Sequence, residues 1–207
     1  ADLLGRVIAS DREPAGRKPR AIPPVDDPMS GAFVLHTLRE AMPDDAVLVE
    51  EAPSHRNAMH DHFPVRRSDS FYCGASGGLG WALPAAVGIG LARPERRVVC
   101  LLGDGSSLYS IQALWTAAEL ELPITFVILN NRGYSALKAF GLAMGIETLP
   151  GVNLPGIEFV SLARGFGLNA ERVDSAERLA PALRESFEQS GPSLLDVWVD
   201  ARVERLY

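Results

Sequence analysis

Cysteine is scarce, with only Cys73 and Cys100 among 207 residues. Their spacing makes no disulfide framework and Cys100 lies within an apolar run, so the expected setting is a reducing cytoplasm, with Cys100 a core residue. An excess of positive charge is also missing: 26 acidic residues against 20 basic ones leave a formal net charge of −6. Nucleic-acid surfaces select basic patches, and the one tight basic cluster, Arg93, Arg96 and Arg97, is interrupted by Glu95, so no nucleic-acid partner is expected. No apolar run reaches membrane length, and the first residues lack the charged and apolar segments of a signal peptide, so no membrane partner is expected either. An initiator methionine is absent too. Asp2-Leu3-Leu4-Gly5-Arg6-Val7-Ile8 reads as the end of a helix, and the start of the chain is expected to be a fragment boundary.

What is present is enough apolar material, 47% of residues, to bury a sizeable core in one α/β domain with a short appendage. Residues 1–29 read as the tail of a preceding domain and a linker, because Pro14, Pro19, Pro23, Pro24 and Pro28 fall among charged residues with little to bury. Residues 30–207 form the domain proper. Its helices are expected from Ser30 to Met42, Trp81 to Ala92, across Arg132 to Gly145, Ile157 to Arg164 and Ser175 to Gln189. Strands are expected at Ala46 to Val49, Leu168 to Val173 and Ser193 to Val199.

The chain is organised around Val98 to Tyr134. Val98-Val99-Cys100-Leu101-Leu102 is a short β-branched run bounded by glycine, which predicts a strand buried on both faces of a parallel sheet. Ile111, Leu114, Trp115, Ala118 and Leu122 then follow a helical period, with Ser106 or Ser107 as N-cap and Pro123 as terminator. Ile124 to Leu129 predicts a second buried strand. A right-handed crossover between them brings Gly103-Asp104-Gly105 and Asn130-Asn131 to the same sheet edge.

A carboxylate beside a bound phosphate would be repelled unless a cation lies between them. The Asp104 carboxylate, the Asn131 amide oxygen and a backbone carbonyl such as that of Gly133 supply the hard oxygen ligands Mg²⁺ takes, phosphate and water completing the shell. Backbone N–H groups of Gly105, Ser106 and Ser107 are expected to cradle a diphosphate just past Gly103. A dinucleotide fingerprint is disfavoured: Leu83 follows Gly78-Leu79-Gly80 where a third glycine is needed, Leu108 does the same after Gly103-Asp104-Gly105, and no clear apolar strand precedes the first.

Gly-Asp-Gly joined to Asn-Asn across residues 106–129 resembles the diphosphate and magnesium motif of thiamine diphosphate enzymes. Three further stretches are similar to the benzoylformate decarboxylase branch of that family: Gly77-Gly78-Leu79-Gly80-Trp81-Ala82-Leu83-Pro84-Ala85-Ala86, Ser110-Ile111-Gln112-Ala113-Leu114-Trp115-Thr116-Ala117-Ala118, and Asn153-Leu154-Pro155-Gly156-Ile157. The resemblance implies an open, mainly parallel sheet flanked by helices, binding thiamine diphosphate and Mg²⁺. It implies a loop in which Ser54, with His55 next to it, meets the diphosphate, with Tyr134 nearby. Gly77 and Gly78 would face the aminopyrimidine ring, and Leu79 would wedge beneath the thiazolium. Leu137 and Phe140 would lie toward a 2-oxo acid substrate.

The reaction implied is decarboxylation of an aromatic 2-oxo acid to an aldehyde and carbon dioxide. The activating glutamate and most substrate-handling groups would come from an N-terminal pyrimidine-binding domain across the interface of a homo-oligomer, a dimer or tetramer, leaving this chain alone inactive. Other readings stay open. Leu79, Tyr134, Leu137 and Phe140 also fit ordinary core positions. Glu50 and Glu51 fit solvated loop acids, Glu50 in particular. His55, His60, Asp61 and His62 do not share a helix face, so a transition-metal site is not expected. Acetolactate synthase-like carboligation, oxalyl-CoA decarboxylase or lyase chemistry, and a non-catalytic nucleotide-binding or interaction module are the rival functions.

Overall fold

A computed structural model describes residues 22–202, apart from 64 and 66. The expected tail at Ala1 to Ser10 and most of the linker lie outside the described residues, and 22–28 hold neither helix nor strand. Ser30 then starts helix α1 (Gly31–Ala41) by accepting the Phe33 N–H at 3.2 Å.

Six strands make one sheet: β1 (Val47–Glu51), β2 (Phe71–Cys73), β3 (Val98–Gly103), β4 (Ile124–Asn130), β5 (Asn169–Val173) and β6 (Ser193–Trp198). Their order is β2-β1-β3-β4-β6-β5, and every pairing is parallel. Alternate residues feed opposite layers. Leu101, Val127 and Leu195 pack with α1, α2 (Arg56–His62) and α8 (Ala176–Glu188) on one face. Cys100, Phe126 and Leu194 pack on the other with α3 (Ala82–Ala92), α5 (Ala113–Glu119) and α7 (Phe159–Gly165). Covered on both sides, these strands read as continuous apolar runs rather than alternating ones.

Three departures from the sequence reading bear on the site. The helix expected from Ser106 to Leu122 is two pieces: a single turn, α4 (Asp104–Ser107), and α5. Between them the backbone tightens into i→i−3 bonds, Tyr109 to Ser106 and Ser110 to Ser107, each 3.3 Å, while the Ser107 hydroxyl donates to the Asp104 carbonyl at 2.7 Å. Serines that bond locally compete with the helix here, and neither Ser106 nor Ser107 is the N-cap, because α4 already begins at Asp104.

The second departure is β2, which precedes the glycine-rich loop where no strand is expected. Its three residues are too few for a periodic signal, and its order comes from pairing with Leu48, Val49 and Glu50. Glycine spacing still argues against a dinucleotide loop. Third, Glu50 is no solvated acid: it lies within β1 with 0% of its surface exposed. Its Oε1 accepts the Ala52 N–H at 2.7 Å and its Oε2 meets Arg56 at 3.4 Å.

Candidate functional site

The chain adds β2 on one side of β1 and then β3 on the other, so a crevice opens past the carboxyl ends of β1 and β3, the place where open α/β sheets bind ligands. A cleft of about 320 Å³ lies there. Ser54 and His55 form one wall from the turn Pro53–His55 after β1, and Gly103, Asp104, Gly105 and Ser106 form its floor after β3. Asn131, Gly133 and Tyr134 enter from the end of β4, Leu137 and Phe140 from α6 (Ser135–Ala143), and Gly77 and Leu79 from the glycine-rich loop. Gly78 and Ser107 are not on its wall: Gly78 is exposed and Ser107 fully buried.

The oxygen-bearing residues are arranged by the backbone. Asp104, 3% exposed, accepts the Gly105 N–H on Oδ1 and the Gly133 N–H on Oδ2, both at 2.8 Å. Burial pushes its carboxyl up to about 6, opposed by those backbone donors. Asn131 is equally buried, and its Oδ1 has no hydrogen-bond partner among the described residues. An unpaired buried acceptor costs about 1–3 kcal/mol, so this oxygen is built for something it does not touch here.

The Gly133 carbonyl accepts the Ser135 N–H at 3.1 Å and keeps a second lone pair. A side chain at Gly133 would meet the Val152 carbonyl at 2.6 Å, and one at Gly105 would overlap the Tyr134 ring, so both glycines permit close packing. Among the described residues no cluster of three or more His, Cys, Asp or Glu is placed to hold a metal. The donors at this site are instead one carboxylate, one amide and one carbonyl, an all-oxygen set that fits Mg²⁺ better than a transition metal.

The rest of the cleft is tied to this floor. Ser54 Oγ accepts the Ala136 N–H at 3.0 Å, joining the turn after β1 to the first turn of α6. The Gly105 N–H, expected to face a diphosphate, is held by Asp104 Oδ1. His55 is pushed down to about 4 by burial, against the pull of Asp200.

Sequence reasoning missed Glu51. This carboxylate, 3% exposed, accepts the Gly80 N–H at 2.6 Å and the Ala82 N–H at 2.7 Å, pinning the segment that carries Leu79 to the end of β1. Glu-Glu at the end of a strand was the available signal. Tyr109 was missed as well; it lines the cleft, and its Cβ would lie 2.6 Å from a side chain at Gly80.

Residues 52–197 match the family described as "Thiamine pyrophosphate enzyme, C-terminal TPP binding domain", and the chain belongs to it. Within that family it is similar to benzoylformate decarboxylase of Pseudomonas aeruginosa, 37% identical over 87% of this chain and 34% of that protein. Acetolactate synthase isozyme 1 large subunit of Escherichia coli is 29% identical over 91% of this chain and 34% of its own length. Among solved structures, the thiamine diphosphate-dependent 4-hydroxybenzoylformate decarboxylase of Rhodococcus jostii RHA1 superposes with a TM-score of 0.85 at 37% identity, covering 95% of this chain and 37% of that one. The chain thus spans about a third of the length of the relatives it matches. No helix among the described residues is long and apolar enough to cross a membrane.

Proposed function

We propose that the chain is the cofactor-binding part of a cytoplasmic thiamine diphosphate-dependent decarboxylase of aromatic 2-oxo acids. The observation that carries the cofactor half of this reading is the buried Asn131 Oδ1, without a partner among the described residues, in the same cleft as Asp104 and at the ends of adjacent strands. Likeness to benzoylformate decarboxylases supports the choice of substrate.

In this reading Asp104, Asn131 and the Gly133 carbonyl hold Mg²⁺. Ser106, Ser54 and Tyr134 border the diphosphate, with Ser107 supporting the floor from beneath. Gly77 faces the aminopyrimidine with Gly78 next to it off the cleft wall, and Leu79 wedges the cofactor into its folded form. Leu137 and Phe140 give the substrate's side chain an apolar wall. Bound thiamine diphosphate supplies a nucleophilic carbon and a sink for the electron pair left when carbon dioxide departs. The chain's own contribution is orientation and exclusion of water. Activating and substrate-handling acids belong to an N-terminal pyrimidine-binding domain across the interface of a homo-oligomer.

The test is titration of the intact protein with thiamine diphosphate, with and without Mg²⁺, repeated on Asp104→Ala and followed by assays with benzoylformate and pyruvate. Magnesium-dependent binding lost in the variant, with benzaldehyde and carbon dioxide formed from benzoylformate, is the expected result. Magnesium-independent nucleotide binding that survives Asp104→Ala would sink the reading. Acetolactate formed from pyruvate would favour a carboligating enzyme, a second reading supported by the 29% identity to acetolactate synthase isozyme 1 large subunit of Escherichia coli.

A further inference from the structure

Asp196 stands in β6 with none of its surface exposed. A carboxylate buried in a sheet is costly, and an apolar side chain would serve the sheet better. Its contacts lead away from the core and toward the turn after β4. Oδ1 accepts from Asn130 Nδ2 at 2.8 Å, while Oδ2 accepts from Trp198 Nε1 at 3.3 Å and faces Arg172 Nε at 3.4 Å.

A carboxylate only accepts, so it fixes which end of the Asn130 amide points at it. The NH₂ turns to β6 and the carbonyl oxygen turns to the loop. There Oδ1 accepts the Arg132 N–H at 3.1 Å. Arg132 takes φ 58°, a left-handed conformation uncommon for a residue other than glycine, aspartate or asparagine. Its guanidinium lies 5.2 Å from the Trp198 ring centre, and that of Arg172 lies 4.6 Å from it. With Arg132 so turned, the next N–H, that of Gly133, is delivered to Asp104 Oδ2 at 2.8 Å. Asn131, caught between two held neighbours, keeps its Oδ1 buried and without a partner among the described residues.

We propose that Asp196 is a positioning residue for the cation site: through the Asn130 amide it sets the turn Asn130–Gly133 and so presents Asn131 and Gly133 as ligands. The inference rests on the reading of Asp104, Asn131 and Gly133 as Mg²⁺ ligands. In Asp196→Asn the side chain can offer either a donor or an acceptor to Asn130. The amide of Asn130 is then free to flip, and the Arg132 N–H loses its bond to Asn130 Oδ1.

The experiment uses the intact protein and its Asp196→Asn and Asn130→Ala variants. It measures the Mg²⁺ concentration needed for half-maximal thiamine diphosphate binding by calorimetry, melting temperature without metal, and turnover at saturating Mg²⁺. The half-saturating Mg²⁺ concentration is expected to rise by about tenfold in Asp196→Asn, the low end of what losing a direct partner of a metal ligand does, because Asp196 acts through Asn130. Saturating Mg²⁺ should restore turnover, and the double variant should be no worse than the more impaired single one. A carboxylate that only held the sheet together would lower the melting temperature and leave the Mg²⁺ requirement alone. The inference falls if Asp196→Asn keeps its half-saturation within about twofold of the parent; should that variant fail to fold, the same outcome in Asn130→Ala overturns it. If the parent protein itself binds the cofactor without Mg²⁺, the ligand reading falls, and this inference with it.

Discussion

Two carboxylates hold backbone N–H groups around the cleft, Glu51 at the end of β1 and Asp104 just past β3. Glu51 gives each of its oxygens to one backbone N–H, at 2.6 and 2.7 Å, and both donors flank Trp81 at the entry to α3. These are charge-assisted bonds, short and strong for their type. In Glu51→Gln the amide can accept only one of the two, and its NH₂ faces the other donor. Loss of about 1–3 kcal/mol is expected, together with faster amide exchange at Gly80 and Ala82. Unchanged exchange there would show that Glu51 does not hold the loop. Two adjacent glutamates look solvated in a sequence because acids rarely sit in strands, and only the pairing of Glu51 with amides about thirty positions away in the chain reveals otherwise. Asp104 was readable because glycines flank it. Asp196, flanked by Leu195 and Val197, was not.

Elements were legible where packing and local preference agree. The buried strands β1, β3, β4 and β6 announce themselves as apolar runs, and α1 is announced by Ser30 ahead of it and Pro43 behind. They were illegible where a partner decides. β2 owes its existence to β1, and the helical period from Ile111 to Leu122 does not extend back to Ser106, because between Ser107 and Ala113 the backbone runs in tighter turns. Even Trp115, placed on the expected buried face, is 56% exposed. The single turn α4 shows how tightly such pieces fit: the Tyr134 ring covers Gly105 so closely that Gly105→Ala forces the ring or the turn to move. The tyrosine also reaches toward the Gly105 carbonyl. Weaker thiamine diphosphate binding, with a small change in melting temperature, is the expected outcome by calorimetry and thermal scanning. Parental affinity in Gly105→Ala would mean that Tyr134 takes no part in shaping the cleft.

At the scale of the whole molecule, two buried groups pull stability in opposite directions with pH. Asp104, raised from 3.8 to about 6 without metal, contributes stability that is complete below its ordinary value and lost as pH rises through about 6. His55, lowered from 6.5 to about 4, contributes stability that is present above 6.5 and lost as pH falls toward about 4. Between those limits the two oppose each other in the metal-free protein. Mg²⁺ binds only the ionised carboxylate, so it reverses the first contribution and leaves the second. The rise in melting temperature on adding Mg²⁺ with cofactor is therefore expected to be small near pH 5 and large near pH 7.5; a rise independent of pH would remove Asp104 from the ligand set. The cleft that these groups share has walls of two mechanical kinds. Asp104 and Asn131 stand at the ends of β3 and β4, neighbours in the middle of a six-stranded ladder, whereas Leu137 and Phe140 project from α6 with 52% and 51% of their surfaces exposed. Under the proposed assignment, heredity can treat the two walls separately. Mutation at 137 or 140 is a cheap trial of a new substrate, and mutation at 104 or 131 ends the lineage's chemistry, so a fold of this kind can drift among related reactions while its cofactor site stays still.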